Sequence, residues 1–273
     1  MIEIPEANTL ARQMNEVLPG KVIVEAVAAS SPHGFAWYFG EPSSYGSMLA
    51  GKTITGASAH GGRPEIAAQE MRICFGDGVN VRYFTPDAKL PAKHQLLICF
   101  DDGSALCCTV QMYGGLWAFP EGANDDPYYL VGLGKPSPLD DAFDRAYFDS
   151  LLTDLRWSAK AFLATEQRIP GFGNGVLQDV LWQAGVHPKR KVATISQAEM
   201  DALFNSVKSV LAAMTAGGGR DTEKDLFGHP GGYHVVLSRL TDNTPCPRCG
   251  DTIRRAAYMG GNIYYCETCQ PQP

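Results

Sequence analysis

The stretch Ile169-Pro-Gly-Phe-Gly-Asn174 precedes a helical pattern over Gly175–Ala184, and the basic run Lys189-Arg190-Lys191 follows shortly after that pattern. Glycines ahead of a helix let backbone N–H groups approach a phosphate, and the helix dipole favours the anion. Asn174 adds a neutral donor at the expected cap. The stretch therefore predicts a phosphate clamp or a plain glycine-rich turn between packed helices, and the basic run fits phosphate contacts or a solvated face.

Further helical patterns surround this stretch. Ser196 followed by Glu199 forms a capping-box signature at the start of one of them. Upstream, Gly132-Leu-Gly-Lys-Pro-Ser-Pro138 is typical of a linker between domains. The other predicted helices of this half cover Asp140–Leu155, Ser158–Thr165 and Ser196–Thr215.

The N-terminal half is dominated by strand patterns. A helix is predicted from Pro5 to Leu18, since Pro5 suits a first turn and Pro19-Gly20 stops it. Asp-Gly pairs between apolar runs are typical of β-hairpins. They predict one hairpin around Gly76-Asp77-Gly78 and another around Asp101-Asp102-Gly103, in an antiparallel sandwich with the first helix packed on it. The predicted strands are Val22–Val27, Met71–Phe75, Val79–Phe84, Leu96–Phe100 and Ala105–Val110.

The C-terminal tail carries a metal-binding pattern. Cys246-Pro-Arg-Cys249 and Cys266-Glu-Thr-Cys269 are separated by sixteen residues. Four thiolates in two tight turns close a tetrahedral zinc site without an open position for catalysis. The alternatives are two disulfides or free thiols. We expect one structural Zn²⁺ in a ribbon of two short strands, in which Arg254-Arg255 form a basic strand and Gly260-Gly261-Asn262 a flexible tip.

Composition limits the remaining possibilities. No run of 18 apolar residues exists, which predicts no membrane span, and the acidic start, without an apolar block, argues against a secretory signal. We expect a monomer in a bacterial-type cytosol or nucleoid. The other four cysteines, Cys74, Cys99, Cys107 and Cys108, are expected to be buried small hydrophobes.

Charge is unevenly distributed between the two halves. The net charge is −6, but residues 1–150 carry −8, with 10 basic and 18 acidic residues, whereas residues 151–273 carry +2, with 13 and 11. If DNA is bound, the second half should supply most of the phosphate contacts.

These motifs resemble, in order, those of the formamidopyrimidine-DNA glycosylase and endonuclease VIII family. The opening Glu3-Ile-Pro-Glu6 is similar to that family's start, and Pro170–Asn174 with Ala184–Pro188 is similar to its helix–two-turn–helix motif. Lys93-His94 before a strand, the glycines from Gly217 to Gly232 and the cysteine ribbon also fit.

The resemblance implies an α+β protein with damaged duplex DNA bound between its domains. The implied parts are a catalytic-type β-sandwich (residues 1–131), a linker (132–138), a helical DNA-binding domain (139–240) and a zinc ribbon (241–273). The expected contacts with DNA come from Arg63, Lys93, His94, Met112, Tyr113, Asn174, Lys189, Arg190, Arg254, Arg255 and Asn262.

The N-terminus departs from the family pattern. In most members the initiator Met is removed, and the amine of the following proline attacks C1′ of the damaged nucleoside to form a Schiff base. Here position 2 is Ile2, so we expect Met1 to remain with a displaced primary amine. Glu3 matches the family's proton-transferring acid, although a helix-start carboxylate is an equal interpretation. The candidate catalytic residues are Glu3 and Met1.

Other family positions also differ. The family's hairpin lysine is expected near the position of Arg63, and no lysine stands there. Arg63 can hold a phosphate but cannot form a Schiff base as lysine could. Met112 and Tyr113 could fill the gap left by a flipped base, or simply pack at a sheet end. The ribbon tip lacks the family's arginine. The sequence thus predicts a base-excision DNA glycosylase with doubtful abasic-site lyase activity, and, as the alternative, an inactive binder of damaged or distorted nucleic acid.

Overall fold

The computed structural model describes residues 1–272. The N-terminal half contains α1 (Ile4–Val17), β1 (Ile23–Ala28), β2 (Ala36–Trp37), a 3₁₀ turn (Pro42–Ser44), α2 (Tyr45–Leu49), β3 (Ile54–His60), β4 (Arg63–Ala68), β5 (Met71–Phe75), β6 (Val79–Phe84), β7 (Leu96–Phe100), β8 (Ala105–Val110), β9 (Gly114–Pro120) and α3 (Pro127–Gly134). The C-terminal half contains α4 (Arg145–Ser150), α5 (Ala159–Ala164), α6 (Asn174–Ala184), a 3₁₀ turn (Val192–Thr194), α7 (Gln197–Ala216), β10 (Arg254–Tyr258) and β11 (Gly261–Tyr265).

Two sheets form the predicted β-sandwich. One has the strand order β1-β7-β8-β6 and the other β2-β9-β5-β4-β3. Neighbouring strands are antiparallel except for the short parallel pair β2–β9. Alternate apolar residues of both sheets face each other in one core, and Leu10 and Met14 of α1 pack against this core. The fold is therefore the expected α+β sandwich with the first helix packed against it.

One of the two predicted hairpins is wrong. β7 and β8 pair through Asp101-Asp102-Gly103 as predicted. β5, however, pairs with β4 and β9, whereas β6 pairs with β8 in the other sheet. Gly76-Asp77-Gly78 thus carries the chain between the sheets. The Asp77 carbonyl oxygen accepts a hydrogen bond from the Ile2 N–H, which ties the N-terminal segment to this crossing.

The helical half follows the predictions with shorter boundaries. The predicted helix over Asp140–Leu155 is confined to α4, because the Asp144 carboxylate accepts the Tyr147 N–H and caps the helix there. The capping box of Ser196 and Glu199 is present at α7. α3 includes the first three residues of the predicted linker. No helix within residues 1–272 is long and apolar enough to cross a membrane.

Helix α1 connects the two halves. Its Ile4 side chain is fully buried in the core formed by α4 to α7, while its other apolar residues face the sandwich. The ribbon has a smaller core of its own, built from Leu237, Ile253 and Tyr264 against Trp182 of α6. The N-terminus therefore lies where the two larger cores meet.

Candidate nucleic-acid interface

The first four residues are fixed between the two domains. Ile2 donates its N–H to the Asp77 carbonyl at 2.7 Å, and Ile4 donates to the Gly171 carbonyl at 3.1 Å. The Ile2 side chain is only 8% exposed. The β-sandwich and the loop before α6 thus hold the N-terminal segment from opposite sides.

Glu3 caps helix α6 from a distance in sequence. Its Oε1 accepts the Gly175 N–H at 2.9 Å and its Oε2 accepts the Val176 N–H at 2.8 Å. A β-carbon at Gly173 would lie 2.4 Å from Oε1, so this position has room only for glycine. Burial raises the pKa of the Glu3 carboxyl, although Arg220 and the two backbone N–H groups act in the opposite direction. Glu3 is thus a helix cap in this structure, at a position where a proton-transferring acid would also lie.

Arg220 joins the Gly217–Tyr233 loop to the N-terminus. Its Nη2 lies 2.8 Å from Glu6 Oε2, its Nε 3.0 Å from Glu6 Oε1, and its Nη1 3.6 Å from Glu3 Oε2. Nη2 also donates to the Met1 carbonyl at 3.2 Å. No sequence pattern predicted a role for this arginine, because nothing near it in sequence indicates that its partners lie at the N-terminus.

The α-amino group of Met1 is held by the same loop. It donates to Glu223 Oε2 at 2.5 Å, and the Met1 residue is 42% exposed. An amine that attacks carbon must present a lone pair, whereas this nitrogen is the donor of an ion pair. Glu223 is a second junction residue that the sequence analysis did not identify.

Asn174 lies beside the ribbon tip and is not the helix cap. The N-cap of α6 is Gly173, and Asn174 is the first helical residue. Its Nδ2 donates to the Asn262 carbonyl at 2.9 Å. The start of α6 and the tip of the ribbon are therefore adjacent, as a shared phosphate site would require.

The basic side chains near this contact differ in the partners that they already have. Lys160, which the sequence analysis did not single out, donates its Nζ to the Tyr258 carbonyl at 2.9 Å, and the Lys189 Nζ lies 5.5 Å from the Tyr258 ring centroid. Arg190 is instead paired with both oxygens of Glu199. The two predicted arginines of the ribbon, Arg254 and Arg255, pair with Glu267 and Asp242 and keep about half of their side chains exposed.

Only some of the DNA contacts predicted in the β-sandwich lie near the junction with the helical domain. The tip of the β3–β4 hairpin packs on Pro170 and Gly171, and the Arg63 guanidinium lies 4.6 Å from the Trp117 ring centroid. Lys93 and His94 lie before β7. The His94 carbonyl accepts from the Ser30 hydroxyl and the Ser31 N–H, and neither Lys93 nor His94 is hydrogen-bonded to the N-terminal segment within residues 1–272.

Met112 and Tyr113 form an exposed loop between β8 and β9. Met112 is 68% exposed. The Tyr113 ring lies 5.7 Å from that of Trp37, and the Tyr113 carbonyl accepts the Gly78 N–H at 2.9 Å. The first contact is sheet-end packing, while the exposure of Met112 fits a role in filling a gap in a DNA duplex.

The four tail cysteines converge with the spacing of a tetrahedral site. The Cys246 and Cys269 sulfurs are 3.8 Å apart, those of Cys249 and Cys266 are 3.4 Å apart, and all four lie within 4.8 Å. Zn–S bonds of about 2.3 Å in a tetrahedron place sulfurs about 3.8 Å apart. The closest pairs of tail sulfurs are 3.4 and 3.8 Å apart, against about 2.05 Å for an S–S bond, so the spacing favours a metal site over two disulfides. Cys74, Cys107 and Cys108 are buried as predicted, and Cys99 is half-buried.

A cleft opens beside these groups. Its volume is about 440 Å³, and its lining includes Asn174, Gln178, Arg220, Asp221, Leu237 and Tyr264. It lies between α6, the ribbon and the Gly217–Tyr233 loop. A β-sandwich and a helical domain with a cysteine ribbon, joined at the buried segment Ile2–Ile4, define the fold of formamidopyrimidine-DNA glycosylase (Fpg).

Comparisons with known proteins agree with this architecture. A model of the formamidopyrimidine-DNA glycosylase H2TH domain matches residues 133–224. The chain is 27% identical over 276 residues to the formamidopyrimidine-DNA glycosylase of Geobacillus kaustophilus, covering 99% of this chain and 100% of the relative. The corresponding protein of Thiobacillus denitrificans is 28% identical, with 99% and 100% covered.

Solved structures share the whole fold. MutM (Fpg) from Thermus thermophilus superposes with a TM-score of 0.83 at 21% identity, and 99% of both chains is covered. Lactococcus lactis Fpg in complex with an abasic site containing DNA gives 0.85 at 23% identity, with 99% of this chain and 100% of that chain covered. The chain is therefore similar over nearly its whole length to formamidopyrimidine-DNA glycosylases, and it contains a segment that matches their H2TH domain.

Proposed function

We propose that this protein is a DNA N-glycosylase of base-excision repair that binds duplex DNA containing a damaged base or an abasic site. The observation that carries the proposal is the position of Glu3. Its carboxylate lies at the N-terminus of α6 and at the domain junction. The same helix start, through Asn174, borders the ribbon tip. A nucleotide flipped from the duplex would enter between these elements, toward Glu3 and the N-terminal segment. A cytosolic or nucleoid location belongs to the same proposal.

The residues divide into three groups by expected role. Phosphate contacts would come from Asn174, Lys189 and the ribbon, which position DNA without reading its sequence. Arg63, Met112 and Tyr113 would contact the duplex from the sandwich side. Glu3 would transfer protons, and either Met1 or water would be the nucleophile. Arg190 supports this surface through Glu199 and is the least available of the predicted basic contacts.

One structural Zn²⁺ is part of the proposal. The four sulfurs fit a tetrahedral ion, and four protein ligands leave no position for a reacting water. The ion would hold the ribbon so that Asn262 stays against Asn174. The domain boundaries predicted from the sequence, with breaks at residues 131, 138 and 240, are retained as part of the same proposal.

Two product assays test the activity. The substrates are duplexes containing a formamidopyrimidine, an oxidised pyrimidine or an abasic site. We expect strand breaks only after alkali, because base release leaves an alkali-labile abasic site. Borohydride should trap little covalent adduct, since the Met1 amine is paired with Glu223. Intact mass of the same sample establishes whether Met1 is retained.

A second candidate function is a catalytically inactive binder of damaged or distorted nucleic acid. Ile2 in place of the family's proline and Arg63 near its hairpin lysine favour this alternative. Absence of product in both assays across the lesion panel, together with nanomolar affinity for an abasic-site duplex, would support it. Absence of both product and affinity would contradict either function.

A further inference from the structure

Asp77 adopts a backbone conformation that few non-glycine residues accept. Its φ of 56° lies in the left-handed region. Three hydrogen bonds fix the backbone there, namely Ile2 N–H to the Asp77 carbonyl at 2.7 Å, Gly76 N–H to Gly115 at 3.0 Å and Gly78 N–H to Tyr113 at 2.9 Å. Conformations imposed in this way by neighbouring structure cluster at functional sites. The chain thus presents this one side chain at the N-terminal segment.

The Asp77 carboxylate has no bonded partner. Among residues 1–272 it forms no hydrogen bond and no ion pair, in contrast to the nearby Glu3, Glu6 and Glu223. Burial raises the pKa of Asp77, while Arg63 and the N-terminal ammonium oppose that effect. The charges of Asp77 and Glu3 both act on Tyr113, which places the three groups within electrostatic range of one another. A partly desolvated, uncommitted carboxylate is suited to accepting a proton.

A small cavity adjoins this carboxylate. Its volume is about 50 Å³, and its lining includes Ile2, His60, Arg63, Asp77, Tyr128 and Gln167. A polar cavity needs roughly 10–15 Å³ of such volume to hold one water molecule. Water can therefore lie beside Asp77 and Ile2 in this cavity.

We propose that Asp77 is the general base that activates the hydrolytic water, so that base release proceeds without an amine nucleophile. The water oxygen bonds to C1′ of the damaged nucleoside while the N-glycosidic bond breaks, and the bonding electron pair leaves with the base. The water proton passes to the Asp77 carboxylate, and the departing base takes a proton from Glu3. The products are the free base and an unbroken strand with an abasic site.

This inference rests on the proposed glycosylase function and specifies its nucleophile. The test compares the wild type with Asp77→Asn in single-turnover base release from a duplex containing a formamidopyrimidine. Asn tolerates the left-handed conformation and keeps the side-chain shape, but cannot accept the proton. Asp87→Asn is the matched control, because Asp87 is also left-handed, with φ 67°, and lies in an exposed loop.

We expect base release by Asp77→Asn to fall by about 10²–10⁴-fold. Its affinity for a duplex with a tetrahydrofuran abasic-site analogue and its melting temperature should match the wild type, and Asp87→Asn should behave as wild type throughout. Equal release by wild type and Asp77→Asn overturns this inference alone, as does a wild-type adduct trapped by borohydride. Absence of release by the wild type overturns the glycosylase function and the inference together.

Discussion

Glu3 Oε2 accepts a hydrogen bond of 2.8 Å from the backbone N–H of Val176, 173 residues further along the chain. This bond ties the first residues of the β-sandwich domain to the first turn of α6, where phosphate would bind. The groups proposed for chemistry and for DNA binding therefore share one rigid contact. A change at Glu3 should affect both stability and reaction, and the two effects can be measured separately.

Glu3→Gln should abolish base release while largely preserving DNA binding. Gln keeps the shape of Glu but cannot exchange a proton, which typically costs about 10²–10⁴-fold in rate. The Gln amide also turns a donor toward a backbone N–H, so the free energy of unfolding should fall by about 1–3 kcal/mol. Single-turnover kinetics and urea unfolding measure the two effects.

Glu16→Gln is the control for this substitution, because Glu16 lies on α1, the helix that Glu3 directly precedes, and is exposed. If Glu3→Gln loses stability but releases the damaged base at the wild-type rate, Glu3 is only a helix cap.

Cys249→Ser should lose the metal and at least tenfold in DNA affinity. Ribbon folding is coupled to binding of the ion, and the folded ribbon holds Asn262 against Asn174. Metal content by mass spectrometry and titration with an abasic-site duplex check this expectation. Cys99→Ser, in strand β7, should retain one zinc ion and full affinity. Full affinity in a metal-free Cys249→Ser protein would refute the ribbon's role.

Asn174→Ala should weaken binding to damaged and undamaged duplexes by similar factors. Phosphate contacts position a protein on DNA without specifying sequence or lesion. Affinities for a matched pair of duplexes, with Asn8→Ala of helix α1 as the control, measure the effect. A loss confined to one lesion would instead mean that Asn174 contacts the damaged base.

The parts of the site that the sequence predicted are those encoded by local spacing. Two such parts are the cysteine pattern from Cys246 to Cys269 and the segment from Pro170 to Asn174. In each, the spacing within a short stretch is enough to indicate the chemistry, whatever the rest of the fold. Arg220 and Glu223 escaped prediction because their partners, Glu6 and Met1, are more than 200 residues away. Asp77 was misassigned for a related reason. Asp-Gly favours a hairpin locally, but tertiary pairing with Ile2 and two different sheets determined its geometry.

The last prediction concerns His187, which couples stability of the helical domain to pH. This residue is 1% exposed, and its Nδ1 accepts the Lys189 N–H at 3.1 Å. Burial, assisted by the charge of Lys189, lowers the pKa of His187 to about 4. The unfolded chain binds a proton near pH 6.5, whereas the folded chain resists protonation until about pH 4. The contribution of His187 is thus fully present above pH 6.5 and is lost as the pH falls toward 4.

His187→Asn should therefore reduce the loss of unfolding free energy as the pH falls. Between pH 7 and pH 5 the wild type should lose about 2 kcal/mol more unfolding free energy than the variant, because one pKa unit corresponds to about 1.4 kcal/mol. Urea unfolding at the two pH values measures the difference. Asp179, whose pKa burial raises to about 6, acts in the opposite direction but is common to both proteins and cancels. His234→Asn, a change at a side chain that is 91% exposed, should retain the wild-type difference. An equal loss in wild type and His187→Asn would mean that His187 takes up its proton in the folded state as readily as in the unfolded chain.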